Sequence, residues 1–355
     1  MDRPLYYYEI INNDGKVWIM PSCNMRTGME LYQPSGFKGK LLKYLFPFLH
    51  QCTLIRKKIR IEKTEYNLES DIKNIVSKLF NISSFDYATF LGSPGPRQKV
   101  TIQIFTKSQI FGYVKTSKSK EIAESFNREA KALDFLKKKG ISNIPNAYYC
   151  EKINQNWVFI QSTTKTIHSK VINRLTIKHI QFVRNLFERT KQTLPFEQTD
   201  LYLKLEYLKS NIENINPNDY AILTRSIDTV EKHYKGIVLF GFMHGDFTPW
   251  NLYVEKGEIN AFDFEYAEYT CPPYMDIIHF IIQICILVKN KSIDETYDLL
   301  REKEHLLPID DHKQLILAYL LCVFSQYTKL FDGKFSSQDR SYKMWIGLMN
   351  KYNKI

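Results

Sequence analysis

Paired cysteines are missing from this sequence. Its six (Cys23, Cys52, Cys150, Cys271, Cys285 and Cys322) lie far apart with no C-x-x-C spacing. That argues against a disulfide frame or a structural zinc site and suits a reducing compartment. A membrane span is missing too. The longest apolar stretch, Ile277 to Val288, is too short to cross a bilayer and is interrupted by His279 and Gln283, so it reads as a buried helix. The start, Met1-Asp2-Arg3-Pro4, has no secretory apolar core, and a cytoplasmic location is expected, with the inner face of a membrane as the variant. There is no internal repeat, no low-complexity tract, no Walker loop and no complete G-x-G-x-x-G. Neither paired Cys/His spacing nor an aromatic RNP segment appears, so no nucleic-acid partner is expected.

What is present begins with 355 residues, more than one core usually holds, and two lobes are the natural expectation. Hydrophobic residues make up 44% and aromatics 14%, with 23 Tyr and 23 Phe, which excludes disorder as a description of the whole. The formal charge of +11 would attract nucleic acid, an anionic membrane or a phosphorylated substrate. The basic residues are scattered, however, as at Arg56-Lys57-Lys58-Ile59-Arg60 and Lys137-Lys138-Lys139, in the manner of a solvated surface.

Residues 1–70 form an N-terminal extension with a short strand at Val17–Met20. In it, Gly39 to Leu49 followed by the cationic run through Arg60 has two readings. Residues 40–60 make a weak peripheral contact with an anionic membrane, or they pack on the body with Pro47 interrupting the helical pattern. Residues 71–163 alternate strands (near 85–91, 99–105, 112–115, 147–152 and 157–161) with one helix over 121–138, closed by Gly140. Residues 164–355 carry helical spacing near 176–190, 200–215, 218–234, 274–289, 293–303, 310–331 and 337–352. Short strands at Ile237–Met243, Leu252–Val254 and Ile259–Phe262 sit between the third and fourth of these.

Those strands enclose the decisive residues: His244-Gly245-Asp246-Phe247-Thr248-Pro249-Trp250-Asn251, then Phe262-Asp263-Phe264-Glu265. Phosphoryl transfer needs metal to screen the triphosphate, and Mg²⁺ prefers oxygen ligands. It also needs a carboxylate to orient a hydroxyl and receive its proton. One loop offers Asp246 and, five residues on, Asn251; Asp263 follows at a strand end. Strand pairing would set Asp263 beside Asn251, leaving Asp246 to face the acceptor.

The pattern H-G-D-x-x-x-x-N followed by D-F-E resembles the aminoglycoside phosphotransferase and choline kinase group of the kinase-like fold, close to bacterial small-molecule and envelope-glycan phosphotransferases. Protein kinases use H-R-D-x-x-x-x-N and D-F-G for the same parts. The resemblance covers about residues 80–330 and implies an α+β, bilobal, protein-kinase-like fold. A small antiparallel-sheet N-lobe with one helix would bind nucleotide, and a larger, mainly helical C-lobe would carry the chemistry. It implies ATP and Mg²⁺ as cofactors, Asp246 as catalytic base, Asn251 and Asp263 as metal ligands, His244 as a brace for the loop and Asp276 as a structural aspartate. It further implies that Lys115, ending a strand, and Glu129, on the next helix, form the ion pair that holds the α- and β-phosphates. Gly92 and Gly95 occupy the turn where a phosphate-covering loop belongs, though an ordinary hairpin would use them as well. Gln161-Ser162-Thr163 is the expected lobe connection, whose backbone would meet the adenine edge. Asp263-Phe264-Glu265-Tyr266-Ala267, with Asp276 and His279-Phe280, is especially similar to choline and ethanolamine kinases, which usually have Asn where Gly245 stands.

Only about 13 residues separate Asp263 from Asp276, leaving no room for a protein-kinase activation segment, so the acceptor is expected to be a small molecule or glycan bearing a hydroxyl. An aromatic cage for a cation would draw on Trp250, Tyr253, Tyr266, Tyr269, Tyr274 and Trp345. An aminoglycoside site would draw on Asp294, Glu295, Asp298, Glu302, Glu304, Asp310 and Asp311, which also suit a solvated face. The other function class is a kinase-like nucleotide-binding or scaffold protein without transfer. Oligomeric state is not legible.

Overall fold

The computed structural model describes residues 6–12, 14–34, 36–95, 97–331 and 338–354. Met1–Pro4, Pro96 of the glycine turn and residue 337 of the last expected helix lie outside them. The chain divides into two compact units: Met1–Lys138, Ser142–Lys170 and Tyr253–Glu265 make the first, and Lys139–Ile141, Val171–Leu252 and Tyr266–Ile355 the second.

The first unit is built on an eight-stranded antiparallel sheet, in the order β3-β1-β2-β4-β5-β6-β8-β7. Its strands are β1 (Tyr7–Ile11), β2 (Val17–Pro21), β3 (Glu62–Thr64), β4 (Asp86–Phe90), β5 (Val100–Phe105), β6 (Ile110–Ser117), β7 (Ala147–Ile153) and β8 (Asn156–Ser162). The sheet therefore runs through the boundary drawn at residue 70, because β1, β2 and β3 continue it. Side chains alternate between two cores, as strand geometry requires. Tyr7, Ile19, Tyr87, Ile102, Val114 and Ile160 face one cluster. Tyr8, Ile10, Trp18, Met20 and Ala88 face the other.

Helices α1 (Met25–Gly28), α2 (Phe37–Leu49), α3 (Thr53–Lys58), α4 (Ser70–Phe80) and α5 (Lys120–Lys138) complete this unit. Two differences from expectation have simple causes. The helix α4 places Ile72, Ile75, Val76, Leu79 and Phe80 on the first cluster at helical spacing, so the one helix expected over 71–163 becomes two. And α2 continues through Pro47 in its final turn: the missing N–H gives up the one ladder bond to residue 43, but only two helical residues follow and the His50 amide still closes on the Phe46 carbonyl.

Lys165 is buried in this unit, its Nζ donating to the Glu30 carbonyl at 2.8 Å and lying 3.7 Å from the Glu30 carboxylate. Burial lowers its pKa from 10.5 to about 8. Between those values the unfolded chain binds the extra proton, so this residue makes stability rise with pH across that window. The Lys165→Met variant removes that contribution. Its stability relative to the parent should be highest below about pH 8 and fall by on the order of 2 kcal/mol towards pH 10.5, as measured by denaturant unfolding at stepped pH.

The second unit is mainly helical: α6 (Ile177–Thr190), α7 (Asp200–Ser210), α8 (Tyr220–Tyr234), α9 (Met275–Gln283), α10 (Ile293–Lys303), α11 (His312–Leu330) and α12 (Arg340–Asn353). Its strands β9 (Gln192–Pro195), β10 (Ile237–Met243) and β13 (Glu268–Cys271) form a small sheet centred on β10. The pair β11 (Leu252–Glu255) and β12 (Glu258–Ala261) falls, but for Leu252, in the first unit. The short, polar β9 and β13 escape a periodicity reading; the remaining strands and helices fall where the spacing puts them.

Candidate active site

In the first unit the candidate residues gather on the sheet face opposite Val114. Lys115 of β6 pairs across Thr101 of β5 and Phe159 of β8. Its Nζ donates to Glu129 Oε2 of α5 at 2.5 Å and to Asp263 Oδ1 at 2.7 Å. The two carboxylates hold the Lys115 ammonium above its ordinary pKa against the pull of burial. Burial pushes the Glu129 carboxyl up, and its Oε1 is buried without a hydrogen-bond partner. Asp263 follows β12 with φ +67°, a left-handed backbone that is rare outside glycine and favours Asn and Asp when it occurs. Such a backbone costs of order 1–3 kcal/mol.

Lys99, just before β5, donates to both Glu265 oxygens at 3.0 and 3.1 Å and lies 3.8 Å from Asp263. It was not singled out from the sequence. The signal exists only once the register is known. Residues 99 and 101 share a face, and Thr101 opposes Lys115.

Gly92 and Gly95 lie between β4 and β5 with φ +72° and +146°. A Cβ at Gly92 would run into the Lys99 carbonyl, whereas Gly95 meets nothing within 4 Å. Gln161 is buried in β8, and the amides of Ser162 and Thr163 already donate to the Asn146 and Phe111 carbonyls. Those two N–H groups are therefore committed to the sheet and its edge. Tyr253 gives its hydroxyl to Thr164, at 2.6 Å.

In the second unit, the loop after β10 is fastened from both sides. Asp276, in the first turn of α9, accepts from the His244 amide at 2.8 Å and the Gly245 amide at 3.1 Å. Burial raises the Asp276 pKa, and the two amides and His244 oppose the rise. Phe247 is fully buried, stacked on Phe182 of α6 at 5.7 Å. His244 Nδ1 accepts from the Asp246 amide at 3.2 Å.

The Asp246 carboxylate that results is held by two donors. Asn251 Nδ2 donates to Oδ2 at 2.7 Å and to the Asp246 carbonyl at 3.0 Å. His279 Nε2 meets Oδ1 at 3.1 Å, one helical turn beyond Asp276. His279 Nδ1 in turn meets the Tyr319 hydroxyl of α11 at 3.2 Å. A neutral imidazole protonated at Nε2 satisfies both contacts. The sequence showed His279 only as part of a string; its partner Tyr319 carries no local signal at all.

The remaining candidates divide simply. Trp345 is wholly buried against Tyr327 and Tyr269 packs on Phe242, both as core. Glu295, Glu302 and Asp294 pair with Lys291, Lys303 and Lys351 on the exposed helical surface.

No family model matches the chain, and no curated protein matches it in sequence. Among solved structures it is similar to the apo form of a thermostable mutant of aminoglycoside phosphotransferase APH(4)-Ia. That match has TM-score 0.51 and 11% identity over 79% of this chain and 98% of the other. It is also similar to a candidate fructosamine-3-kinase from Thermobifida fusca (TM-score 0.51, 12% identity, 81% and 100% of the two chains). The chain has the kinase-like fold. At this identity the likeness is one of fold, and the roles of the residues rest on their own geometry.

Within this kinase-like fold, Gly245 is fixed by its backbone. Its φ is +82°, and a Cβ there would overlap the Tyr266 carbonyl oxygen. Even asparagine, which tolerates a left-handed backbone, would bring that Cβ. Gly245→Ala should destabilise the protein by about 3 kcal/mol, seen as a lower thermal midpoint, and displace Asp246 from Asn251. A midpoint equal to the parent's would show that the loop has room the distances deny.

Proposed function

We propose that this protein transfers the γ-phosphoryl group of ATP to a hydroxyl of a small molecule or glycan. The observation that carries the reading is the Asp246 carboxylate, 27% exposed and held between Asn251 and His279 on a loop clamped by Asp276. A carboxylate fixed in this way, with solvent access, can accept a proton from a bound alcohol. The alcohol oxygen bonds to the γ-phosphorus as the bond to the β-phosphate oxygen breaks, ADP departs, and the alcohol proton passes to Asp246.

Lys115, neutralised by Glu129 and Asp263, is the proposed phosphate contact, and Lys99 is a second cation on the same face. The donor set suits magnesium. Asn251 spends its amide nitrogen on Asp246, leaving an amide oxygen, and Asp263 supplies a carboxylate. Among the described residues no group of three or more His, Cys, Asp and Glu side chains could hold a metal alone. Mg²⁺ commonly takes one or two protein oxygens and completes its shell with phosphate and water. Asn251 and Asp263 are the residues that would hold it; when bound it would screen the charge of the triphosphate.

The test is nucleotide consumption by the purified protein across choline, ethanolamine, aminoglycosides, nucleosides, fructosamines and sugars, with and without Mg²⁺. Consumption that depends on one acceptor class, with the phosphate recovered on its hydroxyl, supports the proposal. Mg²⁺-dependent nucleotide binding without consumption in the presence of any acceptor would instead assign a binding role.

A further inference from the structure

The helix α2 wears its apolar side outward. Phe37, Leu41, Tyr44, Leu45 and Phe48 are 80%, 48%, 72%, 45% and 76% exposed. Their spacing of four, three, one and three residues draws one stripe along the helix, and Phe46, 1% exposed, takes the opposite side into the core. Leu54 of α3, 80% exposed, and Ile59, 40% exposed, extend the same apolar character beyond the turn. A soluble helix normally turns such residues inward, and a contiguous exposed apolar surface marks a docking site.

The charge along α2 and α3 is of one sign: from Gly36 to Ile61 there is no Asp or Glu, and of the seven cationic residues Lys38, Lys40, Lys57, Lys58 and Arg60 are exposed, while Lys43 pairs with Glu30 at 3.1 Å and Arg56 is buried. At ~100° per residue, Lys38 and Lys40 flank the stripe on its two sides. Lys57, Lys58 and Arg60 are exposed beside Leu54. Arg26 and Lys107 share a concavity with Phe48, His50 and Gln51. Long cationic side chains beside exposed Phe, Leu and Tyr form the pattern of a helix that lies in the plane of a lipid surface.

We propose that α2 and α3 dock this protein on an anionic phospholipid bilayer, with the stripe at the acyl boundary and the lysines among the headgroups. No described helix is long and apolar enough to cross a membrane, so this is contact from one side. A second copy of the chain is a poorer occupant. A two-fold contact through this face would set its lysines against their own copies.

The experiment is co-sedimentation of the full-length protein with phosphatidylcholine vesicles, with and without phosphatidylglycerol, at stepped salt. The expected result is binding to the anionic vesicles only, weakening with salt as surface charges are screened. Lys38→Glu/Lys40→Glu should lose about tenfold or more in vesicle affinity. Leu41→Glu/Phe48→Glu should lose binding altogether, with an unchanged circular dichroism spectrum because both side chains are already exposed. Equal sedimentation with both vesicle types, none with either, or parent-like binding by the variants would overturn the proposal. So would Leu41→Glu/Phe48→Glu converting a dimer to a monomer in lipid-free ultracentrifugation, which would assign the face to a second chain.

Discussion

Asp246→Asn should lower kcat by about 10³-fold while leaving nucleotide affinity unchanged. Asparagine has the shape of aspartate, keeps an acceptor oxygen for Asn251 Nδ2, and adds no volume to a loop already pinned by Phe247 and Asp276. What it lacks is a second oxygen able to take a proton. The loss should therefore appear equally in kcat and kcat/KM, the signature of an interaction made in the transition state. The new amide group faces His279 Nε2, which accepts from it once the ring takes its Nδ1-protonated tautomer and donates to the Tyr319 hydroxyl, so thermal unfolding should be close to the parent's. Parent-like turnover would remove Asp246 from the chemistry and leave the loop as a structural feature of the fold.

Asp263→Asn should weaken Mg²⁺-dependent nucleotide binding by about 100-fold, on the order of 3 kcal/mol, in calorimetric titrations with ADP and ATP. Asparagine is the appropriate replacement because residue 263 has φ +67°, which Asn adopts more readily than most residues. The backbone can stay as it is and only the charge is lost. Lys115 keeps Glu129 at 2.5 Å, so the ammonium is not stranded in the core. Removing one partner of a buried pair outright is far more destructive, typically 3–5 kcal/mol, and Lys115→Ala would confound folding with binding for that reason. In the absence of Mg²⁺ the variant and the parent should bind nucleotide alike. A variant that titrates like the parent with Mg²⁺ present would exclude Asp263 as a metal ligand.

The order of the motifs was legible without coordinates because chemistry restricts residue type. Only a few side chains can accept a proton, bind a hard cation or meet a phosphate. Those side chains stand between segments whose apolar periods of two and near 3.6 declare strand or helix: β10 before Asp246, α5 carrying Glu129, α9 carrying Asp276. Composition added a two-unit expectation and the absence of any disulfide frame; all six cysteines are free.

What the sequence alone determined is which residues have the functional groups for the proposed chemistry and on which elements they stand, since period, spacing and functional-group type are local properties. Tertiary structure decided the rest. Strand register put Lys99 on the face of Lys115, and helix packing brought His279 to Asp246 and Tyr319 to His279. The eight-stranded sheet absorbed β1, β2 and β3 of the N-terminal segment, and only burial revealed that the stripe of α2 faces outward. Each of these depends on which distant surface meets which. No periodicity along the chain encodes that, because it is settled by the summed burial of apolar area across the whole unit.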